Sequence, residues 1–362
     1  MRFARHNRYT SAYIMSKTHP LRIFFISGLI TVLSLAAIAG FVGPQAFFIA
    51  LVLILVEITF SFENAIINAK VLSTVSEFWR KIFITIGILI AVVGMRLVFP
   101  IAIVAITAGL SMGSVVDLAL NHPNRYATEL NEAHISIAAF GGMFLLMLCL
   151  SFFFDPKRKI RWINIIEKPL QDMSKWWLYT TVSLGVLIVL SVLPANHEPS
   201  QTFIAGLVGI VTYVVIHGLA ELFAKTQKQN VGGKALKTGM AGFMAFLYLE
   251  VLDASFSFDG VIGAFAVTNE VLLIAIGLGI GALWVRSLTI FMVEHKVLHA
   301  YRYLEHGAHY TIGVLACVLL AGIFFNIPEA IAGVAGLIII TTSVISSIRA
   351  SRIDAANTKA QA

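Results

Sequence analysis

QAFFIALVLILVEITFSFENAIINA, residues 45–69, is long and apolar enough to cross a bilayer, yet it carries two glutamates, Glu57 and Glu63, near its middle. About twenty predominantly apolar residues cross the hydrocarbon core as a helix, so this run reads as a transmembrane span with charge inside it. An open sheet edge does not survive in lipid, and the run is too long for a barrel strand, so helix is the workable reading. Further runs of the same kind fall at 21–41, 82–108, 133–154, 177–193, 202–224, 239–266, 270–293, 310–325 and 329–348. Composition agrees, because 58% of residues are hydrophobic and only 12% charged, where a soluble domain carries about a quarter charged. Mean hydropathy is +0.87. The expected fold is an all-α polytopic membrane protein of about ten spans. It has a cytoplasmic tail over 1–20, one transmembrane domain over 21–348 and a second cytoplasmic tail over 349–362.

A formal charge of +7 raises nucleic acid as a partner, and the placement of the basic residues argues against it. With alternate loops numbered from a cytoplasmic N-terminus, five Lys and Arg lie in the N-terminal tail and three at Lys70, Arg80 and Lys81. Six lie between Lys157 and Lys175, four between Lys225 and Lys237, two at Lys296 and Arg302, and three in the C-terminal tail, so 23 of the 26 fall on one side. The other side holds Arg125, and Arg96 and Arg286 sit inside spans. This is the positive-inside pattern for ten spans with both termini cytoplasmic. The basic residues that precede the first span and the Ala37-Ile38-Ala39 triplet resemble a signal peptide. The basic region is long for one, so an uncleaved helix is expected. Cys149 and Cys317 read as buried packing residues, with no CxxC pair and no disulfide framework.

An internal repeat appears when Phe60-Ser61-Phe62-Glu63-Asn64 is laid on Phe256-Ser257-Phe258-Asp259-Gly260, which places Glu57 on Asp253. Each copy continues to a glycine and, nine residues later, an arginine: Gly87 to Arg96 and Gly277 to Arg286. The repeat cores are 45–108 and 239–293. They begin on the second and seventh spans, an odd number apart, so the copies should cross in opposite directions. Inverted repeats of this kind are common in transporters, with substrate held near the midplane where the halves meet.

A central carboxylate costs on the order of 2.5–3.5 kcal/mol on insertion scales, so Glu57, Glu63, Glu250, Asp253 and Asp259 require partners, water or a bound cation. Glu57, Ser61, Asn64 and Asn68 form one helical stripe, and Glu250, Asp253, Ser257 and Gly260 form another. Glu63 and Asp259 lie six residues beyond a stripe member, about 120° round the helix. At least one helix should therefore be locally unwound here, with Gly260 and Gly263 easing the break. His217 and Glu221, spaced i, i+4, suit a shared cation or proton site that couples to the carboxylates. Arg96 and Arg286 read as structural counter-ions. Six acids against two arginines leave four negative charges if all are ionised, an excess that low dielectric tolerates only if protons or cations bind. Carboxylate, amide and hydroxyl oxygens favour manganese, magnesium or calcium, whereas copper(I) would want Cys or Met clusters. The metal ligands expected are Glu57, Glu63, Asn64, Glu250, Asp253 and Asp259, with Ser61 and Ser257 auxiliary. No resident cofactor is implied; a divalent ion, manganese foremost, is the substrate. The cytoplasmic group Glu294, His295, His299, Glu305, His306 and His309 reads as the wet face of an interfacial helix.

FSFENA and DASFSFDG, with the Gly-to-Arg segments behind them, resemble the TerC-like integral membrane proteins of the wider LysE-like transporter superfamily, in a bacterial subgroup. The resemblance covers most of the second to ninth spans and implies metal-ion efflux, especially of manganese, a link to tellurite resistance, and the bacterial inner membrane. The family's acidic positions match Glu57, Glu63, Asn64, Asp253 and Asp259. Glu63 stands where the family typically has Asp, and Gly260 where it has a hydroxyl residue. The expected function is a transporter that exports a divalent cation. The alternative is a non-transporting scaffold of a metal and tellurite stress complex, and a homo-oligomer is compatible with either. An intramembrane enzyme is disfavoured, since no P-loop, nucleophile elbow or HExxH motif occurs.

Overall fold

A chain whose apolar runs are this long must satisfy its backbone within each run, and the computed structural model is accordingly helical. It describes residues 19–173, 175–231, 236–265, 267–268, 270–325 and 327–361. Within these, the side chains of 107, 176, 227–231, 258, 259, 262, 329, 330 and 357–361 lie outside the description. The helices are α1 Pro20–Phe41, α2 Pro44–Phe60, α3 Phe62–Leu72, α4 Glu77–Ile82, α5 Phe99–Thr107, α6 Met112–Asn121, α7 Pro123–Glu132 and α8 His134–Phe153. They continue as α9 Asn164–Asp172, α10 Trp176–Val192, α11 Pro199–Val231, α12 Gly239–Phe265, α13 Val271–Glu294, α14 Val297–Ala300, α15 Leu304–Gly322 and α16 Glu329–Gln361. Two π-helical stretches, Phe83–Gly87 and Ile90–Val98, join α4 to α5 in one span over Glu77–Ile106. Among the described residues there is no strand, only an isolated bridge between Val75 and Lys237.

Among the described residues eight helices are long and apolar enough to cross a membrane, and the count rises to ten if each of two bent pairs, α2 with α3 and α9 with α10, is one span. The protein is therefore a polytopic helical membrane protein. Each apolar run of the sequence falls on one of these spans. The N-terminal tail, residues 1–18, lies outside the described residues. The expected C-terminal tail continues α16, helical to Gln361.

The centre of the bundle is α8, which is apolar on all sides and therefore buried rather than striped. Gly142 lets Leu320 of α15 approach to where a Cβ would stand, and Gly209 of α11 does the same for the Phe140 carbonyl of α8. The core gathers Met143, Phe144, Met147, Leu187, Tyr213, Leu252, Ile312 and Ala316 around it. Cys149 is buried there, whereas Cys317, expected buried, is exposed.

The two repeats meet by a swap of contacts. Asn64 donates to Asp253 at 2.5 Å, while a Cβ on Gly260 would lie 3.3 Å from Glu57 Oε2. Since Glu57 corresponds to Asp253 and Asn64 to Gly260, each contact is the image of the other, as in a self-complementary two-fold interface. The later residue of one helix meets the earlier residue of the other, so α2–α3 and α12 run antiparallel. The partner helix α13 runs parallel to α2: Gly277 packs on Leu53 and Ala50, and Gly281 on Glu57 and Ile54. This is the geometry of an inverted repeat.

The helix break falls in the first copy alone. Ser61, at φ −103° and ψ 17°, ends α2, and α3 departs at 51°. In the second copy α12 passes through Gly260 and Gly263 unbroken. Gly260, expected to ease a break, instead sits where the helix faces its twin. Packing, not local propensity, decides which copy bends.

The four histidines expected on one wet face, His295, His299, His306 and His309, do not share it. His306 and His309 lie inside α15 and are buried. The His309 ring stacks on Phe152 at 3.5 Å, and His306 Nε2 lies 3.0 Å from the Ile160 carbonyl oxygen. His295 stacks on Phe291, and His299 alone of the four is exposed. Apolar stacking surface from α8 is what draws them in. Beside them Lys70 pairs with Glu305 at 2.7 Å with the lysine side chain 49% exposed. A screened pair of this kind contributes little, so Lys70→Ala should change unfolding stability by less than about 1 kcal/mol, measurable by thermal melting of the detergent-purified protein.

Candidate functional site

The break at Ser61 gives the first copy its polar cluster. Ser61 Oγ donates to Glu57 Oε1 at 3.1 Å, and Arg96 donates to and ion-pairs with the same oxygen. The other end of the guanidinium donates from Nη1 to the Ala91 carbonyl at 2.6 Å. In the second copy Arg286 Nη2 stands 3.5 Å from Glu250 Oε1 and 3.5 Å from Asp253 Oδ2. It donates to the Gly87 carbonyl at 3.0 Å and, through Nη1, to the Phe83 carbonyl at 3.3 Å. Its guanidinium also lies 3.8 Å over the Phe83 ring, a cation–π contact.

The repeat thus carries equivalent ion pairs, Arg96 with Glu57 and Arg286 with Asp253. All three carbonyls that receive the arginines, Phe83, Gly87 and Ala91, lie in the two π-helical stretches. A π-helix widens the turn and is characteristic of functional positions. Here it offers carbonyls sideways to guanidinium groups. Gly87 is needed for this approach, because a Cβ there would stand 2.7 Å from Glu250 Oε1 and 2.8 Å from Arg286 Nη1. The nine-residue spacing from glycine to arginine was visible in sequence; the π-helical form of the first copy was not.

Two small cavities flank Glu57. One has room for about 10 Å³ of water-centre volume, and Glu57, Asn64, Asn68, Ala91, Arg96, Asp253, Val285 and Arg286 line it. The other has about 30 Å³ and lies between Glu57, Ser61, Glu63 and Gly260 on one side and Phe60, Phe256, Thr311, Leu315, Ala332 and Gly333 on the other. One water needs roughly 10–15 Å³ on this measure, so the first takes one small guest and the second about two. Among the described residues, buried side-chain atoms with no hydrogen-bond partner concentrate here: Asn64 Oδ1, Asn68 Oδ1, Glu250 Oε2, Ser257 Oγ and Arg96 Nε, while Asp253 Oδ2 and Glu250 Oε1 have only the 3.5 Å ion-pair contact with Arg286. Buried polar atoms are normally satisfied, so a group of orphaned acceptors around one cavity marks a place built for a guest.

Of the residues singled out in sequence, Glu57, Asn64, Asp253, Arg96 and Arg286 line one cavity and Glu63 and Ser61 the other, with Glu57 common to both. Glu250 joins through Arg286. Ser257 is buried in α12. The Asp259 side chain lies outside the described residues. His217 and Glu221 do not join the cluster. His217 stacks on Tyr213 at 5.2 Å, and the exposed Glu221 lies 3.9 Å from Lys225. Among the described residues no three of His, Cys, Asp and Glu converge as a metal cage. The acceptors that do converge are amide and carboxylate oxygens, held apart in part by the arginines. Thr311, Ala332 and Gly333 of α15 and α16 complete the wall, and nothing in their sequence neighbourhood announced it.

Residues 62–354 match a family described as protein of unknown function (DUF475). The chain belongs to this family. The DUF475 match starts at the first residue of α3 and takes in Glu63, Asn64, Arg96, Glu250, Asp253 and Arg286, while Glu57 precedes it. No curated protein and no solved structure matches the chain.

Proposed function

We propose that the protein is a secondary transporter that exports a divalent cation, manganese foremost, through the pocket where α2–α3 and α12 cross. The observation that carries the reading is a set of under-satisfied oxygens around one ion-sized cavity on the pseudo-two-fold contact: among the described residues Asn64 Oδ1 and Asn68 Oδ1 have no hydrogen-bond partner, and Asp253 Oδ2 has only the Arg286 guanidinium at 3.5 Å. They are hard oxygen donors, the class that manganese, magnesium and calcium prefer. An inverted repeat with a broken helix is the architecture on which alternating access is commonly built. The arginines give a mechanism for exchange. In this conformation Arg96 pairs with Glu57, and Arg286 is shared between Glu250 and Asp253. A cation that reaches the oxygens displaces a guanidinium towards its carbonyl partners in the π-helical span, so cargo and arginine compete for one set of carboxylates. Glu63, which lines the larger cavity and pairs with no arginine among the described residues, is the candidate for a coupling proton or a second ligand.

The resemblance to TerC-like proteins points the same way, and the basic residues on one side of the loops support an orientation with both termini in the cytoplasm of a bacterial inner membrane. The competing reading, a non-transporting scaffold of a metal-stress complex, draws on the arginine pairing itself, since a permanent ion-pair network needs no cargo. Flux separates the two. In proteoliposomes with a manganese-quenched dye inside, the wild type should pass Mn²⁺ and Asp253→Asn and Glu63→Gln should each slow flux by roughly tenfold or more, a loss equivalent to about 1.4 kcal/mol in the barrier. Wild-type flux no faster than protein-free vesicles, for manganese, magnesium and calcium alike, would leave the scaffold.

A further inference from the structure

The amphipathic helix α9 is mounted inside out. Its inward face is polar: Glu167 is 1% and Gln171 6% exposed, while Ile165 is 89% and Ile166 47% exposed. Glu167 fixes this rotation. Its carboxylate accepts from the backbone N–H of Trp162 at 3.0 Å and of Ile163 at 3.1 Å, and from the Tyr310 hydroxyl at 3.2 Å. Gln171, one turn on, accepts from Arg161 Nε at 2.6 Å. At about 100° per residue Ile165 then lies roughly 160° from Glu167, on the far side of the helix. The helix also turns 108° from α10, so it lies across the direction of that span.

Water is a poor medium for such a face, because each exposed isoleucine forgoes the burial its side chain would gain. Lipid is a good one. The same segment carries Lys157, Lys159, Lys168 and Lys175, all exposed, and Lys175 sits 5.8 Å from the half-exposed Trp177 ring. An apolar face flanked by lysines and tryptophan, between two membrane spans, has the composition of an interfacial helix that binds anionic headgroups. Arg158 does not belong to this set, since it folds back over the Phe152 ring and burial pushes its guanidinium down to about 10.

We propose that residues 157–175 form a binding surface for anionic phospholipid, with α9 in the headgroup layer, Ile163, Ile165 and Ile166 in the upper acyl region, and the four lysines on lipid phosphates. Through Glu167 this surface grips Tyr310 of α15, and α15 supplies Thr311 and Leu315 to the larger cavity. The proposal rests on the membrane fold and not on what the protein transports.

The test uses the full chain with the exposed Cys317 replaced by serine, a bimane on Ile165→Cys or, separately, on Met173→Cys, and nanodiscs of phosphatidylcholine with about 30 mol% phosphatidylglycerol, near the anionic content that gives biological leaflets their surface potential. Nitroxide on the upper acyl chain should quench both positions more than aqueous iodide does. The same nitroxide carried on phosphatidylglycerol should quench roughly two- to threefold more than when carried on phosphatidylcholine. That preference should vanish when Lys157, Lys159, Lys168 and Lys175 are all changed to glutamine, and should shrink with salt as exposed charges are screened. Dominant quenching by iodide would mean a water-facing helix, and quenching by neither agent a face covered by protein. Equal quenching by the two lipids would mean no anionic preference. Each of these results overturns the proposal.

Discussion

Arg96→Met should lower the unfolding free energy by about 3–5 kcal/mol, the range seen when one partner of a buried ion pair is removed and its mate is left charged. Glu57 is 4% and Arg96 5% exposed, so the abandoned carboxylate is shut off from bulk water and has no second ion-pair partner among the described residues. It retains the Ser61 hydroxyl and the water its cavities can hold. The companion variant separates charge from volume. Glu57→Gln with Arg96→Met removes both charges, and it should recover at least half of the loss, because the cost lies in the orphan and not in the absence of the pair. Chemical denaturation in detergent, followed by tryptophan fluorescence, reads both values. If Arg96→Met alone melts with the wild type, the carboxylate was never ionised and the equivalence of Arg96 with Arg286 loses its electrostatic meaning.

Gly281→Val is expected to have the next largest effect, about 1–3 kcal/mol of destabilisation from overpacking. A Cβ at 281 would meet Cβ and Cγ of Glu57 at 2.5 Å and the Ile54 carbonyl at 3.2 Å. The carbonyl is backbone, and the carbon atoms belong to a side chain already tied to Arg96 and Ser61, so neither neighbour yields cheaply. Relief requires α13 to slide from α2, which also shifts Glu57 within the repeat contact. Gly185→Val is the control, because a Cβ there meets nothing within 4 Å. It should cost roughly what any β-branched residue costs a helix over glycine, which is nothing or a slight gain. Equal melting points for the two variants would show that the approach of α13 to α2 is looser than its geometry.

Much of this architecture was legible in the chain. Span positions follow from the length of each apolar run, a quantity set by bilayer thickness and helical rise alone, so no tertiary information enters. The inverted relation of Glu57 to Asp253 and of Arg96 to Arg286 follows from two short motifs and an odd number of crossings between them. What the letters did not carry was every choice between equivalent local options. Both copies contain the Phe-Ser-Phe turn, and only the first breaks, since the second is held straight against α2–α3 where Gly260 meets Glu57. His217 and Glu221 share a helical face by spacing, as a site would, yet aromatic stacking with Tyr213 takes the histidine elsewhere. His306 and His309 read as wet from their polarity, and the free ring face of Phe152 buries them.

Helical periodicity and hydropathy are properties of neighbours along the chain, so sequence by itself determined that this is a polytopic helical membrane protein with acids buried in an inverted repeat. Which helix bends, which carbonyls leave their ladder for an arginine, and which oxygens remain without partners depend on what lies across the contact, often two hundred residues away. Those were decided only when the two halves packed, because a buried polar group takes its state from the atoms within hydrogen-bonding distance of it and not from its place in the chain.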